Sequence, residues 1–94
     1  MIEIVKRHMV GGQQYEHIAK VKYVNAAGEE KEATRQAMVD WLGDKTKTNR
    51  AIVYSRDRKR SSYVEVVHRT GAPDYIRTFP DSTGTDNLLA LDTY

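Results

Sequence analysis

The 94-residue chain contains no cysteine. Disulfides, thiol nucleophiles and Cys-based zinc or iron–sulfur sites are therefore excluded, and a reducing cytoplasm is the expected setting. No apolar run approaches the roughly 18 residues that a membrane-spanning helix needs. Hydrophobic residues make up 39%, charged residues 30%, and the mean hydropathy is −0.68, so a soluble chain without a membrane partner is expected. The opening Met1-Ile2-Glu3-Ile4-Val5-Lys6-Arg7-His8 is broken by charge at short intervals and lacks the apolar core of a secretory signal, which argues against export. Internal repeats, low-complexity tracts and Pro/Ser-rich linkers are also missing. At this length there is room for one hydrophobic core, hence a single domain over residues 1–94.

Charge is present in both signs but unevenly placed. The net charge of +2 conceals a basic middle. Residues 45–60 carry seven basic side chains, Lys45, Lys47, Arg50, Arg56, Arg58, Lys59 and Arg60, against Asp57 alone, a local +6. The preceding 44 residues sum to −1 and the following 34 to −3. Attraction between exposed charges reaches only about a Debye length, roughly 8–10 Å, so this block matters more for partner choice than the total does.

The apolar pattern predicts an α+β fold. Ile2 and Ile4, then Ala19, Val21 and Tyr23, alternate with charged residues on either side of Gly11-Gly12, which reads as a β-hairpin. A two-residue turn sets Glu3 against Lys20 and Arg7 against Glu16; a four-residue turn sets Glu3 against Lys22 and His8 against His17. Both keep Ile2, Ile4, Ala19 and Val21 on one face. After a turn at Asn25–Gly28, Ala33, Ala37, Met38, Trp41 and Leu42 recur at helical spacing, with Thr34 as N-cap, Glu29, Glu30 and Glu32 near the helix start and Gly43 at the C-cap. Trp41 is expected to be substantially buried. Ala51–Ser55, Tyr63–Arg69 and Tyr75–Phe79 read as three further strands joined by hairpin-sized connections. The order is β-β-α-β-β-β: a small antiparallel or mixed sheet with one amphipathic helix packed on it.

The stretch Tyr75-Ile76-Arg77-Thr78-Phe79-Pro80-Asp81-Ser82-Thr83-Gly84-Thr85-Asp86-Asn87-Leu88-Leu89-Ala90-Leu91, after the strand Val64-Glu65-Val66-Val67, resembles the signature of a small bacterial family catalogued as domain of unknown function 3892. The likeness is specific over residues 62–91. Ser82 stands where members carry glycine and Asp92 where they carry proline, so Gly84 becomes the candidate for a positive-φ turn. The resemblance implies a fold and brings no activity, cofactor or ligand. Within this stretch Arg77 is expected to pair with Asp81 or Asp86, Asp86 and Asn87 to hold the turn, and Leu88 and Leu91 to cap the core.

The strongest charge feature is Arg56-Asp57-Arg58-Lys59-Arg60, flanked by Tyr54 and Tyr63. A basic hairpin tip with neighbouring aromatics can neutralise phosphates and stack a base. The competing reading is a solvated hairpin whose charges protect a sheet edge. His8, His17 and His68 do not complete a zinc ligand set. The oxygen-rich run 81–87 lacks the EF-hand spacing and reads better as turn and cap residues. No nucleophile elbow, zincin, dinucleotide or Walker motif occurs. The expectation is a non-enzymatic binding module without a cofactor, favouring nucleic acid first and an acidic protein surface second. Its site would comprise Arg56, Arg58, Lys59, Arg60, Lys45, Lys47, Arg50, Tyr54 and Tyr63. The alternative is a regulatory or structural protein-interaction domain that pairs through a strand edge.

Overall fold

The computed structural model describes residues 1–80, 84 and 86–94. Strands β1 (Ile2–Met9), β2 (Ile18–Val24), β3 (Glu30–Thr34), β4 (Ala51–Tyr54) and β5 (Ser61–Tyr63) form a sheet of order β3-β2-β1-β4-β5. Helix α1 (Arg35–Leu42) joins β3 to β4, and β6 (Glu65–Val67) and β7 (Tyr75–Arg77) make a separate two-stranded hairpin. The main sheet is mixed: β4 runs parallel to β1, pairing Ile2 with Ala51 and Glu3 with Ile52, while its other neighbours are antiparallel. The fold is thus α+β with one helix, and among the described residues no helix is long and apolar enough to cross a membrane.

Alternation sorts the sheet into two faces. Ile2, Ile4, Val21, Ala51 and Val53 point inward, where they form one core with Ile18, Val64, Ile76, Leu88 and the helix residues Met38 and Val39. Helix α1 and the β6–β7 hairpin both pack over this inner face. The end of the chain lies against the opposite face, where the Tyr94 ring packs beside His8 and Lys22.

Four sequence expectations change. Glu30–Thr34 is a strand, not the approach to the helix, so Ala33 leaves the helical stripe. Its alternation is carried by charges: Glu32 lies opposite Lys22, and its carboxylate is 3.7 Å from Lys20 Nζ. Helix α1 is only eight residues; Thr34 caps it by accepting from the Ala37 N–H at 3.1 Å, and Gly43 closes it. Its buried residues are Met38 and Val39, whereas Trp41 and Leu42 are half-buried and Ala37 is exposed. The second change is the β1–β2 register. Neither anticipated pairing forms: Glu3 faces Val24, Arg7 faces Val21 and His8 faces Lys20, with irregularities at Ile4/Lys6 and His8/Met9. A 3₁₀ turn, Tyr15–His17, lengthens the connection, and the His17 ring lies against Gly12, where a Cβ would meet ring atoms at 2.6 Å. Gly12 is needed for that close approach, not for a two-residue hairpin turn.

Third, the segment 63–69 is not one strand. Val64 still donates to the Ala51 carbonyl at 2.9 Å, after which the chain leaves the main sheet and pairs with β7. Fourth, the clasp at the end of the chain includes bonds that were not expected. The Leu88 N–H donates to buried Thr78 Oγ1 at 3.2 Å, and the Asn87 amide donates to Ser62 Oγ at 3.0 Å. Asp81 lies outside the described residues, and no ion pair joins Arg77 to Asp86 among the described ones. The Arg77 guanidinium instead stacks on Tyr15 and Phe79, with its centre 5.4 and 4.3 Å from their ring centroids. Leu88 is fully buried and Leu91 packs at the core margin, as their spacing implied, and Gly84 has φ +82°.

Candidate nucleic-acid interface

The basic block of the sequence surrounds the β4–β5 hairpin. Its tip is a tight turn held by its own side chains: the Arg58 N–H donates to the Ser55 carbonyl at 2.9 Å, and Asp57 Oδ1 accepts from Ser55 Oγ at 2.6 Å and the Lys59 N–H at 3.0 Å. These bonds hold the Asp57 carboxyl below the ordinary aspartate range, the Ser55 hydroxyl contributing most. Arg58 sits in the left-handed region at φ 59°, the position that normally favours glycine or asparagine. Its side chain crosses back to β1 as a fork, Nη1 3.0 Å from Glu3 Oε2 and Nη2 3.2 Å from Oε1, while its plane lies 4.4 Å from the centre of the Tyr54 ring.

Arg56 reaches the other way, to Asp92 Oδ1 at 3.1 Å and the Ala90 carbonyl at 3.2 Å. Both pairs are exposed, so each is screened by solvent and adds little stability. They span a cleft of about 600 Å³ between the hairpin and residues 87–92, floored by Val5 of β1. Three arginines line it, Arg56, Arg58 and Arg60, and three carboxylates, Glu3, Asp57 and Asp92, match them. The cleft is electrically balanced and is not an anion trap.

The remaining expected basic residues lie before the hairpin, at the other end of β4. Lys45, Lys47 and Arg50 are exposed on the α1–β4 connection, and Lys47 and Arg50 line a second recess with Tyr63 and His68. The Arg50 guanidinium lies 5.5 Å from the centre of the Tyr63 ring. Register then decides which face the aromatics take. Tyr63 pairs with Ile52, and Tyr54 is two residues on from Ile52, so Tyr54, Ile52 and Tyr63 share the outer face together with Glu3. Tyr63 is 55% exposed.

Register therefore puts Tyr54 and Tyr63 on one face of β4 and β5, each beside an arginine, Arg58 or Arg50, with Lys59 and Arg60 at the hairpin tip and Lys45 and Lys47 on the connection at the opposite end of β4. The fold draws Arg56 toward Asp92. The sequence reading missed Glu3 and Asp92, because each is separated from its arginine by more than thirty residues and only the fold brings them together. His8 and His17 are not cross-strand partners; His8 Nδ1 bonds the Tyr94 carbonyl, and His68 Nδ1 lies 2.8 Å from Asp74 Oδ2. Among the described residues no three His, Asp or Glu side chains gather as a metal site would require. Arg77 and Asp86 lie apart from this surface in the closing clasp, whereas Asn87 lines the cleft and donates to Ser62 of β5.

A mixed sheet with a helix and a hairpin packed on one face and arginine and tyrosine side chains on the other defines a small α+β domain. This chain belongs to the protein family of unknown function DUF3892, whose profile matches residues 1–92. The match extends well beyond the C-terminal signature. No curated protein and no solved structure matched the chain.

Proposed function

We propose that the protein is a non-enzymatic binding module for nucleic acid, engaged through the β4–β5 hairpin and the α1–β4 connection. The observation that carries this reading is the surviving charge. Residues 45–60 carry seven basic side chains against Asp57, placed at both ends of β4, on the α1–β4 connection and at the β4–β5 tip; Glu3 and Asp92 pair with Arg58 and Arg56 and Asp44 lies beside Lys47, while Lys45 and Lys59 have no carboxylate partner among the described residues. A phosphate backbone is the polymer that uses such charge most directly, because each neutralised phosphate releases condensed counterions.

The edge-pairing alternative has less support. The β3 edge carries Glu30, Lys31 and Glu32, all exposed, and the β5 edge is only three residues long, both features that discourage strand addition. The discriminating experiment is fluorescence anisotropy with labelled single-stranded and duplex oligonucleotides at low and moderate salt. Binding is expected to weaken with salt at a log–log slope of about −0.7 per single-strand phosphate neutralised and about −0.9 per duplex phosphate. Silence on every probe at low salt would remove this reading.

A further inference from the structure

We infer that the outer face of β4 and β5 is a two-base stacking platform for single-stranded nucleic acid, built from Tyr54 under Arg58 and Tyr63 beside Arg50. The inference rests on the nucleic-acid reading above and names the form of polymer and the mode of contact. Ile52 pairs with Tyr63, so Tyr54 is the diagonal neighbour of Tyr63 across two adjacent strands, with Cα atoms about 7–8 Å apart. Tyr63 presents an exposed ring, and Tyr54 lies half-buried beneath Arg58 in the cleft walled by residues 87–92, so one unstacked base can take the Tyr63 ring and a second the guanidinium over Tyr54. A duplex keeps its bases stacked inside and offers none.

The arginines complete the platform. Arg58 forks Nη1 and Nη2 onto Glu3 and holds its guanidinium plane with Cζ 4.4 Å from the Tyr54 ring centre, on a side chain that is 62% exposed. A base can layer on that plane as it does on an aromatic ring, since bases stack on guanidinium planes as well as on rings. The Glu3 fork thus positions the guanidinium as a stacking surface. At Tyr63 the ring itself is exposed, and Arg50 lies at its side. Backbone phosphates would then fall to Lys59 at the hairpin tip and to Lys45 and Lys47 at the other end of β4.

Binding of a labelled single strand and of its duplex should be measured for the wild type and for two sets of variants. Tyr54→Leu with Tyr63→Leu is expected to weaken single-strand binding by about tenfold per ring, with duplex affinity and the salt slope unchanged. Tyr54→Phe with Tyr63→Phe keeps the rings and should retain wild-type affinity. Arg58→Lys with Arg50→Lys keeps the charge and loses the plane, so it should also weaken single-strand binding at an unchanged salt slope. Circular dichroism on the same samples establishes that each variant is folded, and the Phe pair guards against loss through misfolding. If the wild type binds but the Leu pair binds single strands equally well, or the wild type prefers duplex, the platform is wrong while the nucleic-acid reading survives. If the wild type binds no probe at low salt, both fall together.

Discussion

Arg58 holds a backbone conformation that costs a side-chain-bearing residue free energy, and nothing in the local turn demands arginine there. What it provides is the link from the hairpin tip to Glu3 and Tyr54. Two substitutions separate backbone from side chain. Arg58→Gly removes the left-handed penalty together with a screened ion pair, so the melting temperature is expected to hold or rise; Arg58→Val, β-branched at the same φ, is expected to lower it. A fall in Arg58→Gly as large as in Arg58→Val would mean that the Glu3 pair outweighs the backbone. Tyr15 offers a second test. Its hydroxyl donates to the Thr78 carbonyl at 2.8 Å, and burial, then the nearby Asp86 carboxylate, push its pKa up to about 12; Tyr94 is raised to about 12 by burial and Glu32. A folded pKa above the ordinary 10 means that the native state keeps the proton longer than the unfolded chain does. Stability from this source is therefore intact below pH 10 and lost between about pH 10 and 12. In an absorbance titration, phenolate formation should have a phase near pH 12 that Tyr15→Phe diminishes.

Helix α1 supplies only two fully buried side chains, so its docking depends on Met38 and Val39 more than on its aromatic. Met38→Ala is expected to cost about 2–5 kcal/mol, a large part of a total that for so small a domain is about 5. Trp41 packs at the margin of the core, so Trp41→Ala should cost less than the roughly 3–5 kcal/mol of a fully buried aromatic. Urea midpoints of the two variants decide the ranking, and a larger loss for Trp41→Ala would show that the helix leans on its exposed end. Element type was readable wherever apolar residues carried the period, as in β1, β2, β4 and the helix after Thr34. It was hidden in β3, where the alternating residues are Glu and Lys and only Ala33 is apolar. The break between Tyr63 and Glu65 was hidden for the opposite reason: the run stays β-prone throughout, and only the choice of partner strand changes. Tyr54 and Tyr63 were visible as flanking aromatics, but their common face depends on register, which no local pattern carries.

Across the whole molecule, three long-range polar contacts close the fold at one place. Tyr15 bonds the Thr78 carbonyl, Thr78 Oγ1 accepts from Leu88, and Asn87 reaches Ser62, so the β1–β2 connection, the residue after β7, β5 and the closing turn are tied together. Arg77, the more conspicuous residue in the sequence, lies between the Tyr15 and Phe79 rings and contributes packing at the rim of this junction. Thr78 was inconspicuous because a threonine in a strand usually needs no explanation beyond β-propensity. Burial changes that: at 0% exposure its hydroxyl is the one partner of the Leu88 N–H among the described residues. Thr78→Val preserves shape and β-propensity but orphans that buried donor, which should cost about 1–3 kcal/mol. The loss should be local first. In hydrogen exchange, amides of residues 87–91 are expected to exchange faster in Thr78→Val, while those of β2 and β3 keep their protection. Arg77→Ala should lower the melting temperature through lost ring contacts and loosen the same segment less than Thr78→Val does. Equal loosening by the two variants would return the role of clasp to Arg77, and unchanged exchange in Thr78→Val would show that the Leu88 amide finds another acceptor.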